Sequence, residues 1–268
     1  QSGDGALTML DLLAGGQDAL DGARATVEQA ATGGAERLQL STVKLLPPVP
    51  HPPKIICVGR NYAAHAREAG REPSEFPILF SRFAATLLAD GEPVLRPFVS
   101  EQLDWEGELA VVIGRGGRHI QRDVALEHVA GYSAFNDVTV RDYQFRTTQY
   151  LAGKNFSASA PFGPCLATRD ELPDPQALEV RTFIDDEQVQ YGRTEDMLFN
   201  VATIIAHLSE FVELEPGDVI ATGTPSGVGF TRKPPRFLTP GQTVRVEVTG
   251  VGSLSNPVAD EQRPGAQP

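Results

Sequence analysis

The chain has 268 residues, 41% hydrophobic and 22% charged, enough for one large domain or a large one with a small companion. A formal net charge of −12 repels polyanions, so nucleic-acid binding is not expected, and no apolar run is long enough to cross a bilayer. No secretory leader is legible; Cys57 and Cys165 lie far apart in apolar contexts, and buried free thiols in a reducing, cytoplasmic setting are expected.

From about Leu7 to Arg37 the composition predicts helix, interrupted at Gly15-Gly16 and Gly33-Gly34. Five prolines between Leu46 and Pro53 then predict an extended, stiff linker. The expected division is a small N-terminal domain with this linker over residues 1–50, and a catalytic domain over 51–268. Lys54 to Gly59 reads as a short buried strand, and Arg60 to Gly70 as a short helix stopped by its glycine. His65 and Glu68 are three apart and share a face of that helix. A carboxylate beside an imidazole orients it and raises its proton affinity, as a general base requires, though the pair also fits a plain surface contact. Phe76 to Phe83 reads as a strand, with Arg82 able to reach a carboxylate or to run along the surface. Asp90-Gly91 is a hairpin-turn signal.

Asp104 to Gly114 reads as a strand that turns β-branched and closes on glycine. Residues two apart on a strand point the same way, so Glu106 and Glu108 stand side by side. Their mutual repulsion is relieved by a proton or a cation between them, and a divalent ion with hard oxygen ligands would serve. A half-buried strand with its polar face in water fits the same residues. Asp123 to His128 is a predicted short helix. Val129 to Asp142 begins as an apolar strand and ends in acids and bases, so Asp137 is either a third oxygen ligand or a turn residue. Lys154 is one of four lysines and lies in charge-poor surroundings. Partly buried, it would hold an anion; otherwise it is a solvated loop residue. Leu178 to Tyr191 predicts a hairpin turning at Asp185-Asp186. Val201 to Phe211 predicts a helix with Ile204, Ile205, Leu208 and Phe211 facing a core. Thr222 to Gly229 is a glycine-rich turn that lets backbone N–H groups approach a ligand. It lacks the Gly-Lys-Ser/Thr of a phosphate loop, and Ser226 is in no nucleophile elbow. Leu238 to Val248 gives another turn and strand, and the tail from Pro257 is expected to fray.

The order of these pieces resembles the fumarylacetoacetate hydrolase family. The matching stretches are Gly59-Arg60-Asn61-Tyr62 with His65 and Glu68, Glu106 to Gly114, Gly131-Tyr132 with Asn136 to Asp142, Lys154-Asn155-Phe156, Pro161 to Pro164, and Thr222 to Gly229. The resemblance implies an α/β fold with predominant β, a mixed β-sandwich roll behind a small N-terminal domain, and a homodimer. It implies Mg²⁺ or Mn²⁺ held by Glu106, Glu108 and Asp137, a water-activating pair in His65 and Glu68, and Lys154 as a cationic helper. Tyr62, Arg141, Gln144 and Thr224 become candidates to hold a 2-oxo acid substrate. Ser157 and Arg82 depart from the commoner Asp and Lys, and both are expected near the substrate pocket. The implied reaction is hydrolysis of the C–C bond of a 2,4-dioxo acid, an acylpyruvate such as fumarylpyruvate. The alternatives are oxaloacetate decarboxylation or tautomerisation, or hydratase and isomerase chemistry, at the same site.

Overall fold

A computed structural model describes residues 7–34 and 37–263. The chain opens with two helices, α1 (Met9–Ala14) and α2 (Gly16–Thr32). Thr8 caps the first through a reciprocal pair of bonds with Asp11. After the proline run come fourteen strands: β1 (Ile55–Gly59), β2 (Ile78–Arg82), β3 (Leu87–Leu88), β4 (Val94–Arg96), β5 (Leu103–Asp104), β6 (Gly107–Ile113), β7 (Val129–Asn136), β8 (Thr139–Val140), β9 (Ala160–Thr168), β10 (Glu179–Ile184), β11 (Glu187–Arg193), β12 (Val219–Ala221), β13 (Thr243–Val248) and β14 (Gly252–Asp260). Four helices interrupt them: α3 (Ala63–Glu68), α4 (Arg141–Gln144), α5 (Leu151–Lys154) and α6 (Val201–Phe211).

The strands form a seven-stranded sheet in the order β2-β1-β12-β6-β7-β9-β3, a five-stranded sheet in the order β11-β10-β13-β14-β4, and a two-stranded ribbon β5-β8. Most neighbours are antiparallel; β1 with β12, β3 with β9 and β14 with β4 are parallel. This is the α/β, strand-dominated mixed roll with a small helical N-terminal part. Strand β6 is buried along its whole length. Leu109, Val111 and Ile113 face a core shared with Val180, Val246 and Leu254 of the second sheet and with Ile204, Ile205 and Leu208 of α6. Ala110 and Val112 face the opposite core, with Cys57, Phe162 and Val219. A strand covered on both sides reads as continuous apolar sequence, which is what Leu109 to Ile113 is.

Leu13 and Val49 belong to that second core, with Met9 and Leu10 packed against it, so α1 and the proline run rest directly on β1 and β12. Several expectations are corrected. Asp90-Gly91 turns the chain between β3 and β4, which lie in different sheets, so it closes no hairpin. The segment from Pro257 to Asp260 pairs within β14 against β13 and β4 instead of fraying. Phe211 is exposed because α6 carries its buried stripe on Val201, Ile204, Ile205 and Leu208. Cys165 is an exposed free thiol; only Cys57 is buried. Arg37 lies within the described residues but outside both helices, and residues 35 and 36 fall outside the description.

Candidate active site

The register of β6 against β7 builds the acidic centre. Gly107 pairs with Asn136, which sets Glu106 and Asp137 opposite one another just past the ends of their strands. The Asp137 N–H donates to the Glu106 carbonyl at 2.9 Å, and Asn136 Oδ1 accepts from the Glu106 N–H at 3.0 Å. Glu108 is one step into β6 and accepts from the Gly223 N–H at 2.8 Å. Gly223 sits at φ 103°, and a Cβ there would meet Asn61 Cβ at 2.7 Å and Val58 O at 2.9 Å, so the close approach needs glycine. Carboxylate oxygens of Glu106, Glu108 and Asp137 all lie within 4.8 Å of one another, and all three residues are buried.

Buried cations surround this centre. Lys154 Nζ donates to Glu106 Oε2 at 2.7 Å, to Asp137 Oδ2 at 2.5 Å and to the Asp137 carbonyl at 3.3 Å. It is delivered by α5, which closes onto α4 because Gly153 has no side chain; a Cβ would lie 2.5 Å from Gln144 N. Arg82 Nε donates to Asp137 Oδ1 at 2.5 Å from behind. Arg141 donates to Asp104 Oδ2 at 2.7 Å and to Gln144 Oε1 at 2.9 Å, and its Nη1 forms an ion pair with Glu106 Oε1 at 2.7 Å. Its Nη2 is buried without a hydrogen-bond partner among the described residues.

These neighbours push the carboxyls apart in proton affinity. Burial alone would raise the Glu106 carboxyl, but Lys154 and Arg141 outweigh it and hold the pKa down to about 2. Glu108 goes the other way: burial, then the negative charges of Asp137 and Glu106, push it well up. Burial would lower Lys154, yet Asp137 and Glu106 keep it raised and charged. A set of three hard oxygen donors, with the charge on one of them disfavoured for want of a cation beside it, fits a divalent metal ion.

A cavity of about 780 Å³ opens over the acids. His65, Arg141, Gln144, Lys154 and Thr224 line it together with Glu106, Glu108 and Asp137. His65 Nδ1 lies 2.8 Å from Glu68 Oε1. Glu68 also accepts from the Gly227 N–H at 2.9 Å, which ties α3 to the glycine-rich turn. The Thr224 hydroxyl donates to Gly107 O at 2.9 Å and accepts from Gln190 Nε2 at 2.8 Å.

Two sequence expectations are corrected, those for Tyr62 and Ser157. Tyr62 does not reach the cavity; its ring belongs to the main core, because the residue precedes α3 and bridges to Met197. Lys154 is no solvated loop residue, and its three donors are taken by Glu106 and Asp137, so it balances the acids and presents no free N–H. Ser157 is exposed and lines no part of the cavity, and Arg82 reaches it only through Asp137. Other residues escaped the sequence reading. Asp104, fully buried, accepts from Arg141 and from the N–H groups of Gly229 and Phe230 at 2.7 and 3.0 Å, and so fixes the guanidinium to the loop. Arg60, Arg71 and Arg146 also line the cavity. No spacing marked them, since they converge only in three dimensions.

Residues 54–259 match the model of the fumarylacetoacetate hydrolase C-terminal family. The chain is 42% identical over 253 residues to the mitochondrial oxaloacetate tautomerase FAHD2A of Homo sapiens, covering 94% of this chain and 79% of that one. It is 42% identical over 229 residues to oxaloacetate tautomerase YisK of Bacillus subtilis, covering 84% and 76%. Among solved structures, maleylpyruvate hydrolase of Sphingobium sp. SYK-6 in complex with manganese(II) and pyruvate superposes with a TM-score of 0.78 at 31% identity, covering 95% of this chain and 86% of that one. A family match over most of the chain, with an acidic centre formed by the matched segments themselves, settles the lineage: this chain belongs to the fumarylacetoacetate hydrolase family.

Proposed function

We propose that the protein interconverts the keto and enol forms of oxaloacetate, using Mg²⁺ or Mn²⁺ held by Glu106, Glu108 and Asp137. The observation that carries this reading is the meeting of three buried carboxylates and the His65–Glu68 pair at one cavity. The names of the more similar relatives support tautomerisation over the acylpyruvate hydrolysis that the sequence put first. The bound ion would supply Lewis acidity to the 2-oxo acid.

The chain's own groups do the rest. Arg141, in the cavity wall, holds the carboxylate next to the 2-oxo group. Gln144 and Thr224 shape the wall around it. His65 has Nδ1 engaged by Glu68 and Nε2 left to move a proton. It takes the proton from C3; the C–H pair becomes the C=C bond, and the carbonyl π pair takes a proton at oxygen from the imidazolium, which leaves His65 neutral again. The reverse path regenerates the ketone, and no water is consumed.

Hydrolysis of an acylpyruvate is the second reading. It is favoured by the same His65–Glu68 contact at 2.8 Å, which a water-activating base would also need. Both are tested with metal-loaded protein by following loss of enol absorbance from oxaloacetate and from a panel of acylpyruvates, with pyruvate release measured in parallel. Faster enol decay of oxaloacetate without pyruvate release is expected. Acylpyruvate cleavage with no effect on the oxaloacetate enol would reverse the ranking, and pyruvate release from oxaloacetate would make the enzyme a decarboxylase. The family resemblance also carries a homodimer, which sedimentation as a monomer would exclude.

A further inference from the structure

Glu106 is gripped from two sides, and a pair of aromatic rings stands beside each grip. Arg141 engages its Oε1 and Lys154 its Oε2. On the first flank the Arg141 guanidinium lies over the Phe230 ring, 4.3 Å from its centre, and Phe145 meets that ring edge-on at 5.3 Å. On the second flank the Lys154 ammonium lies 5.2 Å from the centre of the Phe80 ring, and Tyr150 meets Phe80 edge-on at 5.6 Å. All four rings line the cavity, and none is fully buried. The flanks differ in what they leave for a ligand. Arg141 is the carboxylate holder of the reading above. The Lys154 ammonium is spent on Glu106 and Asp137, so its flank has only apolar surface to give. Val58, Gly59, Phe80 and Tyr150 form the wall there. Gly59 ends β1 without a side chain, and this leaves one side of both rings uncovered: a Cβ at that position would meet Tyr150 Cε2 at 3.5 Å and Phe80 Cε1 at 3.6 Å. Apolar surface turned to a water-filled cavity gains on contact with an apolar group, and rings gain further from meeting another ring edge-to-face. The cavity, at about 780 Å³, is far larger than a four-carbon acid fills.

We infer that Gly59, Phe80 and Tyr150 form an aromatic bay that takes a ring carried on C3 of a 2-oxo acid, which makes arylpyruvates further substrates for tautomerisation. This rests on the 2-oxo acid reading above and adds a class of substrate that oxaloacetate does not represent. The proton moves as it does there. His65 takes it from C3, the C–H pair becomes the C=C bond, and the former carbonyl oxygen is protonated by the imidazolium. The new double bond conjugates with the aryl ring, so the enol is flat, and a bay walled by two rings and floored by a glycine suits a flat group.

The test is calorimetry on Mg²⁺-loaded protein with pyruvate, phenylpyruvate and 4-methyl-2-oxopentanoate, which carries a branched alkyl group where phenylpyruvate carries its ring. Wild type should bind phenylpyruvate about tenfold or more tighter than pyruvate, and about threefold or more tighter than the alkyl acid. Gly59→Ala adds a methyl at ordinary contact distance from both rings and covers them, and Tyr150→Leu keeps apolar bulk while removing one ring. Each should weaken phenylpyruvate by about threefold or more and leave pyruvate within about twofold. Wild type should also speed the decay of the phenylpyruvate enol, and both variants should slow that decay while keeping the oxaloacetate rate. Phenylpyruvate bound no tighter than pyruvate, or bound by both variants as by wild type, overturns the bay and leaves the 2-oxo acid reading standing. Equal loss of pyruvate and phenylpyruvate in the variants also overturns it, since the rings would then support the acidic centre and not a substituent. An alkyl acid bound as tightly as phenylpyruvate overturns the aromatic class, and binding without faster enol decay overturns arylpyruvates as substrates. Wild type that binds none of the three acids sinks the 2-oxo acid reading, and the bay with it.

Discussion

Lys154→Met removes the ammonium that lies between Glu106 and Asp137. At 2.7 Å and an effective dielectric of about 20, such a contact is worth about 6 kcal/mol before desolvation. Desolvation of buried ions cancels much of that, and removing one partner of a buried pair costs about 3–5 kcal/mol net. Methionine keeps most of the stem's volume, so the loss is one of charge more than of packing. At about 2–4 °C per kcal/mol for a chain of this size, metal-free Lys154→Met should melt about 6–20 °C below metal-free wild type. A divalent ion can take over the missing charge. At a hundredfold excess over Kd, binding adds about 2.7 kcal/mol to any protein that holds the ion. It should add more to Lys154→Met, where the ion binds tighter for facing the same three carboxylates with one cation fewer. The assay is thermal melting of chelator-treated wild type and variant, with and without Mn²⁺. A Mn²⁺-induced rise in the variant no larger than in wild type would refute the view that ammonium and metal ion serve the same carboxylates.

Glu108→Gln mimics the protonated carboxyl that burial favours, so metal-free stability should change little while Mn²⁺ affinity drops by about a hundredfold or more, read by calorimetry. In wild type, the raised pKa makes the Glu108 proton compete with the ion, so binding should displace a proton and weaken as pH falls. Titrations in two buffers of different ionisation enthalpy measure the released proton, and no buffer dependence would contradict it. His65→Gln should lower turnover of oxaloacetate tautomerisation by about a hundredfold or more with metal affinity retained, and Glu68→Gln by less; wild-type turnover in His65→Gln would remove the imidazole from the mechanism. Burial pushes the Tyr132 hydroxyl from 10.0 up to about 12. The folded state then keeps a proton that the unfolded chain releases, so stability falls as pH rises above the unfolded value. Roughly 2–3 kcal/mol should be lost on passing from below pH 10 to above pH 12, and Tyr132→Phe should flatten that slope in urea melts. The Tyr132 hydroxyl has no hydrogen-bond partner among the described residues, so the substitution should cost little at pH 7.

How much was legible in the sequence follows from how local each signal is. The hairpin around Asp185-Asp186, the helix stopped by Gly70 and the strand β6 are written in neighbouring residues, in turn chemistry and in periods of two or 3.6. Glu106 with Glu108 and His65 with Glu68 are also local pairs, and their facing follows from a strand and a helix. Asp90-Gly91 misled because a turn sequence says that the chain reverses, not which sheet receives it. Phe211 misled because helical spacing does not say where the buried stripe ends.

What the sequence by itself determined is the kind of chemistry: hard oxygen donors, an oriented imidazole, and a glycine-rich turn to come close to a ligand. The tertiary structure alone decided the partners. Asp137 joins the glutamates through the register of β6 on β7, Lys154 is spent on those acids, and Tyr62 turns to the core. Arg60, Arg71 and Arg146 come to one cavity only once the chain has folded around it. The physical reason is that a side chain's charge state and its spare hydrogen bonds depend on every group within a few ångströms, and in a sheet of this topology those groups come from segments far apart in sequence.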